Sequence, residues 1–378
     1  MQELVGRLTA LDPEASETLK VVAYFDVLVA GGAGLQALLR GAAVLSGTVA
    51  GATDGRRTYR MGPDGDRRTE TVQVQPHWPS RSKDDRSVWL EREGSPHAND
   101  DMVIERLALA ADLVGSRRPG EPGSSLETAI DATRDADERR VALSRLRLDP
   151  AREVRIAALP PSHDVDGALS TVVATPYGLV RAVVLGQGAT VPGPAGVGVP
   201  RRADQLPESF RTAVLALRLL PKPSPGSSVG RNAGSSAGSS PGSSAGRSPE
   251  SSAGHGRGSS AGSDARSHTG RSSGSEAVVD AADLGVVLAA VSALEPVAAQ
   301  QPDVVALARL DARTRAVLDE LAGSESVRAA ATALGMHHST LQARHDALTT
   351  ELGYDPRSLH GRARFQLARL LLRLVENH

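Results

Sequence analysis

The spacing of apolar residues near the start of the chain predicts two consecutive helices. Residues 15–29 are mostly apolar until glycines at 31, 32 and 34 interrupt them. A second amphipathic helix follows, because apolar residues recur there at steps of three and four. These residues are Leu35, Leu38, Leu39, Ala42 and Leu45.

A different pattern after residue 47 predicts strands. We expect strands over 48–53, 58–61, 69–74 and 87–91, with turn residues such as Asp54-Gly55 between them. Asn99, Asp100 or Asp101 can cap a final helix that runs to Leu113, by accepting its first N–H groups. Residues 1–116 are therefore predicted to form one α+β unit.

A second α+β unit is predicted over 124–221. A helix is expected over 126–148, a strand over 153–159, and a short strand over 197–199. Strands at 169–174 and 179–185 flank Pro176-Tyr177-Gly178 and predict a hairpin. The unit closes with a helix over 207–220, which carries a proline in its first turn.

The next stretch, 222–276, separates this unit from the rest of the chain. Its core of 53 residues, 223–275, consists mainly of Gly, Ser, Ala, Pro and Arg. A segment with so little to bury cannot offset its ordering entropy, so we predict a disordered linker. As a flexible coil its ends would average about 40 Å apart, from roughly 5–6 Å times the square root of its length. Its arginines also allow a weak attraction to phosphates.

The C-terminal part is predicted to be all-helical. Helices over 277–294 and 303–321 make up a connector, 277–322, and the domain 323–378 follows. There a short Ala-rich helix, 327–334, ends at Gly335, and a second helix begins at His338 or Ser339. Leu341, Leu348 and Leu352 give that helix one apolar face, which is the pattern of a helix-turn-helix.

The other face of this second helix is polar near its start. A recognition helix needs donors and acceptors there to reach base edges, and a cation to contact phosphate. Arg344 suits the phosphate role. The candidate DNA-binding residues are His337, His338, Ser339, Thr340, Gln342, Arg344 and His345. The alternative is a small helical bundle with a solvated face.

Composition limits where such a site can lie. The net charge is −1, so a DNA-binding surface must be local: 326–378 holds seven arginines against four acidic residues. The absence of cysteine excludes disulfides and thiolate nucleophiles. With an acidic start that lacks a signal sequence and no apolar run of 18 residues, we expect a cytoplasmic protein without a membrane span.

The terminal segment resembles the C-terminal helix-turn-helix of PucR/CdaR-type bacterial transcriptional regulators. The matching positions are Ala329–Ala331, His337, Thr340, Leu341, Arg344, Leu352, Gly353, Asp355 and the leucine-rich stretch 367–374. The chain departs from the family at His338 and Ser339, where Arg and Asn are common, and at Ala343. The family's operator preference is therefore not carried over.

The upstream units are similar to other parts of the same family. Residues 1–116 look like a GAF-type α/β sensor domain, and 124–221 like a degenerate GGDEF-like domain. The resemblance implies an α+β multidomain regulator that reads double-stranded DNA, forms a homodimer and responds to a small-molecule effector at the GAF-like domain. No GGDEF string occurs, so we expect no cyclase activity and no cofactor.

Other signals are weaker. Gly186-Gln187-Gly188 lacks the third glycine of a dinucleotide loop. No carboxylate at suitable spacing completes a metal site with His337, His338 and His345. Asp84-Asp85 and Asp100-Asp101 are explained by capping and loop solvation, while His77 and Trp78 can line a sensor pocket or simply pack. None of these motifs forms a coherent catalytic set, so we expect a protein that is not an enzyme. The alternative to a DNA-binding regulator is a ligand-binding or protein-interaction adaptor whose helix-turn-helix no longer reads specific DNA.

Overall fold

The computed structural model describes most of the chain outside the low-complexity tract. The described residues are 13–53, 57–70, 72–116, 122–163, 165, 167–186, 188–221 and 277–377. The linker predicted over 222–276 lies outside them. The structure is a mixed α and β fold with a C-terminal helical region.

The N-terminal unit, residues 13–116, packs three helices against a four-stranded antiparallel sheet. Helices α1 (Pro13–Ala30) and α2 (Leu35–Ser46) come first, and α3 (Asp100–Ser116) closes the unit. The sheet order is β2 (Thr58–Met61), β1 (Ala50–Thr53), β4 (Arg86–Leu90) and β3 (Ser80–Lys83). Ala50 lies opposite both Met61 and Leu90, and all three side chains are buried under the helices.

The middle unit, residues 122–221, is a helix-covered sheet. Helices α4 (Pro122–Ile130) and α5 (Ala136–Arg145) precede β5 (Glu153–Leu159) and the hairpin of β6 (Ser170–Thr175) and β7 (Gly178–Leu185). Strands β8 (Ala195–Val197) and β9 (Arg201–Arg202) and helix α6 (Leu206–Arg218) complete it. The hairpin, the strand over 153–159 and the last helix confirm the sequence-based prediction.

The C-terminal part begins with a strand that joins the middle sheet. Strand β10 (Val278–Asp280) pairs in parallel with β8, which makes the sheet order β10-β8-β5-β7-β6, with β9 on β5. The helices that follow are α7 (Val286–Leu294), α8 (Pro302–Arg309), α9 (Ala312–Gly323), α10 (Val327–Ala333), α11 (His338–Leu352) and α12 (Leu359–Glu376). No helix within the described ranges is long and apolar enough to cross a lipid bilayer.

Two predicted helices are each divided by a capping aspartate. The helix predicted over 126–148 breaks before α5, where Asp135 accepts a hydrogen bond from Glu138 N at 2.7 Å. The helix predicted over 303–321 breaks before α9, where Asp311 accepts from Thr314 N at 2.8 Å. In both cases the side chain satisfies a free N–H at the start of a new helix, which continuous apolar spacing does not reveal.

The strands also differ from the prediction in three places. The described residues of 69–74 form no strand; the Arg60 guanidinium donates to Glu70 O at 2.6 Å instead. The start of the helix predicted over 277–294 is strand β10, and β3, with the polar sequence Ser-Arg-Ser-Lys, was not predicted at all. Both form because a neighbouring strand offers a free edge, which is a long-range property of the fold.

Asp100 has a different role from the one predicted for it. It is buried rather than solvated, and its two carboxylate oxygens accept hydrogen bonds from the Arg92 guanidinium at 2.7 and 2.9 Å. It also accepts from His97 N at 2.9 Å. A buried carboxylate needs such partners, and this ion pair fixes α3 to the end of β4.

Candidate nucleic-acid interface

The segment 326–352 forms the helix, turn and second helix that its sequence predicts. Ser326 starts α10 by accepting from Ala329 N at 3.0 Å, and Ala330 and Ala331 are buried at its contact with α11. Gly335 has a φ of 63°, a conformation that glycine adopts without steric cost, and Met336 N donates back to Ala331 O at 2.9 Å. The turn therefore ends α10 at the predicted residue.

The apolar face of α11 is buried as predicted. Leu341, Leu348 and Leu352 are all buried in the core that the C-terminal helices share. Helix α12 covers this core with Phe365 and several leucines. Its first turn lies so close to the preceding loop that a Cβ at Gly361 would be 1.8 Å from Asp355 O. This packing buries the apolar face of α11 and leaves the polar residues at its start exposed.

Five of the seven candidate DNA-binding residues are exposed at the start of α11 or within its first two turns. They are His337, His338, Ser339, Thr340 and Arg344. His337 precedes the helix, and its Nδ1 lies 2.7 Å from Ser339 Oγ. The N-terminus of a helix carries free N–H groups and a partial positive charge, so this surface suits an anion such as phosphate.

The other two candidates are partly covered and bonded within the protein. Gln342 donates from Nε2 to Asp346 Oδ1 at 3.0 Å. His345 Nε2 lies 2.9 Å from Asp355 Oδ1, and its side chain is only 12% exposed. Burial raises the pKa of Asp355, but hydrogen bonds from Arg357 N and His345 outweigh it and leave the pKa below its usual value. His345 therefore links α11 to the loop before α12.

Most arginines of the terminal segment are engaged elsewhere. Arg364 pairs with Asp303 at 2.7 Å, and Arg369 pairs with Asp319. Backbone carbonyls accept hydrogen bonds from Arg357, Arg362 and Arg373.

Arg328 and Arg344 have no acidic partner among the described residues, and both are exposed. Sequence reasoning counted Arg328 only as one charge among seven; its position in the first turn of α10 was the signal for a phosphate contact.

The preceding helices cancel the local positive charge. Residues 277–378 contain twelve acidic residues against ten arginines, so the C-terminal part as a whole is not basic. Residues 326–378 taken alone carry a net charge of +3, from seven arginines and four acidic residues. Asp303 of α8 and Asp319 of α9 pair with two of these arginines. Arg328 and Arg344 are thus the exposed arginines of 326–377 that keep no acidic partner among the described residues.

The C-terminal helices are fixed to the middle unit by a group of contacts that we call the clasp, formed by Arg218, Tyr177, Glu295 and Asn377. The Arg218 guanidinium donates to Leu374 O at 2.8 Å, pairs with Glu295 and lies 3.5 Å over the Tyr177 ring. Asn377 Nδ2 donates in return to the carbonyls of Arg218 and Leu220, at 2.6 and 2.9 Å. The C-terminal ends of α6 and α12 therefore cap each other.

The N-terminal unit carries a groove of about 550 Å³ between α1 and α3. Phe25, Val29 and Ala110 are among the apolar residues that line it, and Arg106 is one of its charged ones. This volume is within the range of roughly 300–1,000 Å³ that is usual for small-molecule sites. His77 and Trp78 do not line the groove; their rings contact each other 6.2 Å apart in the segment before β3.

Within the described part of the chain, no group of three or more His, Asp or Glu side chains is placed to hold a metal ion. No protein-family model matches this chain, and comparison with characterised proteins finds no significant similarity.

Proposed function

We propose that this protein is a cytoplasmic DNA-binding transcriptional regulator of the PucR/CdaR type, which reads double-stranded DNA through α11. The exposed start of α11 carries the proposal, because His338, Ser339 and Thr340 are exposed above a buried apolar face. Arg344 and Arg328 flank them as unpaired cations. A recognition helix needs this combination of free polar groups, a rigid back and adjacent phosphate contacts.

We further propose that the N-terminal unit is a GAF-like sensor and the middle unit a degenerate GGDEF-like domain. The groove between α1 and α3 would take a small amphipathic effector, with an acidic group towards Arg106. A homodimer would place two α11 helices on an inverted repeat, with half-sites about 34–36 Å apart if they lie one helical turn apart.

The clasp and β10 support regulation by docking. Hydrogen bonds hold the chain on both sides of the 222–276 tract. Leu220 O accepts one from Asn377, at the end of the C-terminal helices, and Ala277 O accepts one from Ala195 N of the middle sheet at 3.2 Å. A signal from the middle unit would therefore reach the helix-turn-helix through these contacts rather than along the linker. Shortening the linker should leave an effector response unchanged, whereas a lost response would contradict docking.

The decisive experiment is selection of binding sites from random DNA by the full chain, followed by footprinting of the selected sequence. Thr340→Ala combined with Gln342→Ala should relax the selected sequence. Arg344→Ala should weaken all sequences alike and reduce the slope of log K against log salt by about 0.9 for one phosphate contact. Arg140→Ala is the matched control, because it removes an exposed arginine from α5 in the middle unit.

Two outcomes would refute the proposal. One is that no sequence is enriched at low salt by a folded protein. The other is that Arg344→Ala and Arg140→Ala have equal effects on affinity.

The near-neutral C-terminal surface favours a second function, that of a protein-interaction adaptor. Among the described residues of 326–377, only Arg328 and Arg344 are exposed arginines without an acidic partner, so phosphate attraction is weaker than in a basic DNA-binding domain. An adaptor would bind DNA only non-specifically and would lose that binding as salt is raised, and the selection would enrich no sequence.

A further inference from the structure

The N-terminal and middle units meet at a close joint, which consists of the 31–34 loop between α1 and α2 together with Val172 of β6 and Glu127 of α4. Val172 N donates to Gly31 O at 3.0 Å, and Gly34 N donates to Glu127 Oε2 at 2.7 Å. A Cβ on Gly34 would lie 2.5 Å from that same carboxylate oxygen. A side chain at position 34 would therefore displace the Glu127 carboxylate from its present contact with the start of α2.

Glu127 is an unusual group to find at such a joint, because it has no direct counter-ion. It is 5% exposed, and its Oε1 has no hydrogen-bond partner among the described residues. The nearest cation is Arg40, but Arg40 instead faces Asp131 at 3.5 Å and donates to Gly65 O at 3.1 Å. A buried carboxylate without a paired charge is costly when ionised and tends to take up a proton.

We propose that the joint is a proton-dependent latch, with Glu127 as its titrating group: the joint is closed when Glu127 is protonated and opens when Glu127 ionises. On opening, the carboxylate reaches water and loses its proton, and the Gly34 N–H exchanges its bond to Glu127 for one to water. The covalent structure does not change. The latch sets how firmly the N-terminal unit is held against the middle unit, to which Arg218 and Tyr177 of the clasp belong, and it does not depend on what α11 binds.

The charged and titratable groups around Glu127 set the direction of this effect. Burial raises the pKa of Glu127. Arg40 of α2 and the backbone N–H groups of Gly34 and Ala37 lower it less, and Asp131, which follows α4, raises it further. Tyr24 of α1, whose pKa burial raises to about 12, is neutral throughout the relevant range.

A raised pKa in the closed state means that the open state binds fewer protons. Closure is therefore fully favoured below the ordinary glutamate pKa of about 4.3, and it is lost as the pH rises through the closed-state pKa.

Amide hydrogen exchange of the full chain tests the latch, read at the peptide that covers residues 31–38 and corrected for the intrinsic pH dependence of exchange. Protection there should fall with rising pH, by up to about tenfold per pH unit for one proton. Glu127→Gln keeps the shape and cannot ionise, so it should remain protected and show no such slope. Asp137→Asn on α5 is the matched control, because its side chain is 85% exposed.

Asp131→Asn provides a second variant that retains Glu127. Removing this negative charge lowers the cost of ionising Glu127, so the loss of protection should move to lower pH. The latch would be refuted if Glu127→Gln kept the wild-type slope. If Glu127→Gln does not fold, an unchanged midpoint in Asp131→Asn refutes it in the same way. No DNA enters this experiment, so its failure would leave the proposed DNA binding untouched.

Discussion

Replacing Arg218 with alanine should release the C-terminal helices from the middle unit. The side chain is 7% exposed and donates to Leu374 O and Asn377 O at 2.8 and 3.3 Å, besides its pairing with Glu295. Hydrogen bonds to a charged group contribute about 1.5–3 kcal/mol each, and breaking a buried ion pair costs about 3–5 kcal/mol. Glu295 is 23% exposed, so water compensates part of its loss. We expect about 3 kcal/mol of destabilisation.

Urea unfolding followed by far-UV circular dichroism is the appropriate assay, since urea does not screen ion pairs. Tryptophan fluorescence would not report this change, because both tryptophans, Trp78 and Trp89, lie in the N-terminal unit. Arg369→Ala is the control on α12; its ion pair with Asp319 is partly exposed, so it should cost no more than about 1 kcal/mol. Equal destabilisation by both variants would show that the clasp contributes nothing beyond a surface ion pair.

Two further changes test the packing and the electrostatics of the described fold. Gly361→Ala should destabilise the C-terminal helices by about 1–3 kcal/mol or more, because the new Cβ meets Asp355 O, whereas Gly323→Ala, with open space around it, should be neutral or slightly stabilising in the same urea assay. Asp100→Asn should cost about 3 kcal/mol at pH 7, because it leaves Arg92 buried without its counter-charge. Burial raises the pKa of Asp100, but the hydrogen bonds from Arg92 and His97 N lower it more, so this stabilisation is present above the ordinary aspartate pKa and lost as the pH falls through the folded-state value. The difference between wild type and Asp100→Asn should therefore shrink in acid, and a constant difference would contradict this account.

Local chemistry determined the parts of the fold that the sequence predicted well. The pair of helices α10 and α11 is the clearest case, because the turn between them depends on Gly335 and their packing on the spacing of Leu341, Leu348 and Leu352. The hairpin of β6 and β7 likewise follows from the turn residues between two alternating strands. Each of these signals lies within a few residues of the structure that it specifies.

The candidate site was only partly predictable. The polar residues at the start of α11 follow from its helical period, so the exposure of His338, Ser339 and Thr340 was expected. That His345 is bound to Asp355, and that Arg364 and Arg369 are paired with acids from α8 and α9, depends on how separate helices pack. The sequence alone therefore overestimated the positive charge available at this surface.

The amino-acid sequence by itself determined most of the helices, the β6–β7 hairpin and which face of α11 is apolar, because periodicity and turn residues act over a turn or two of chain. Only the tertiary structure decided that β10 joins the middle sheet, that Arg218 meets the end of α12, and that Glu127 is buried against Gly34. These contacts join residues about 80 to 160 positions apart in the chain. No local pattern encodes them, because strand pairing and burial depend on which free edge or carbonyl the folded chain brings near.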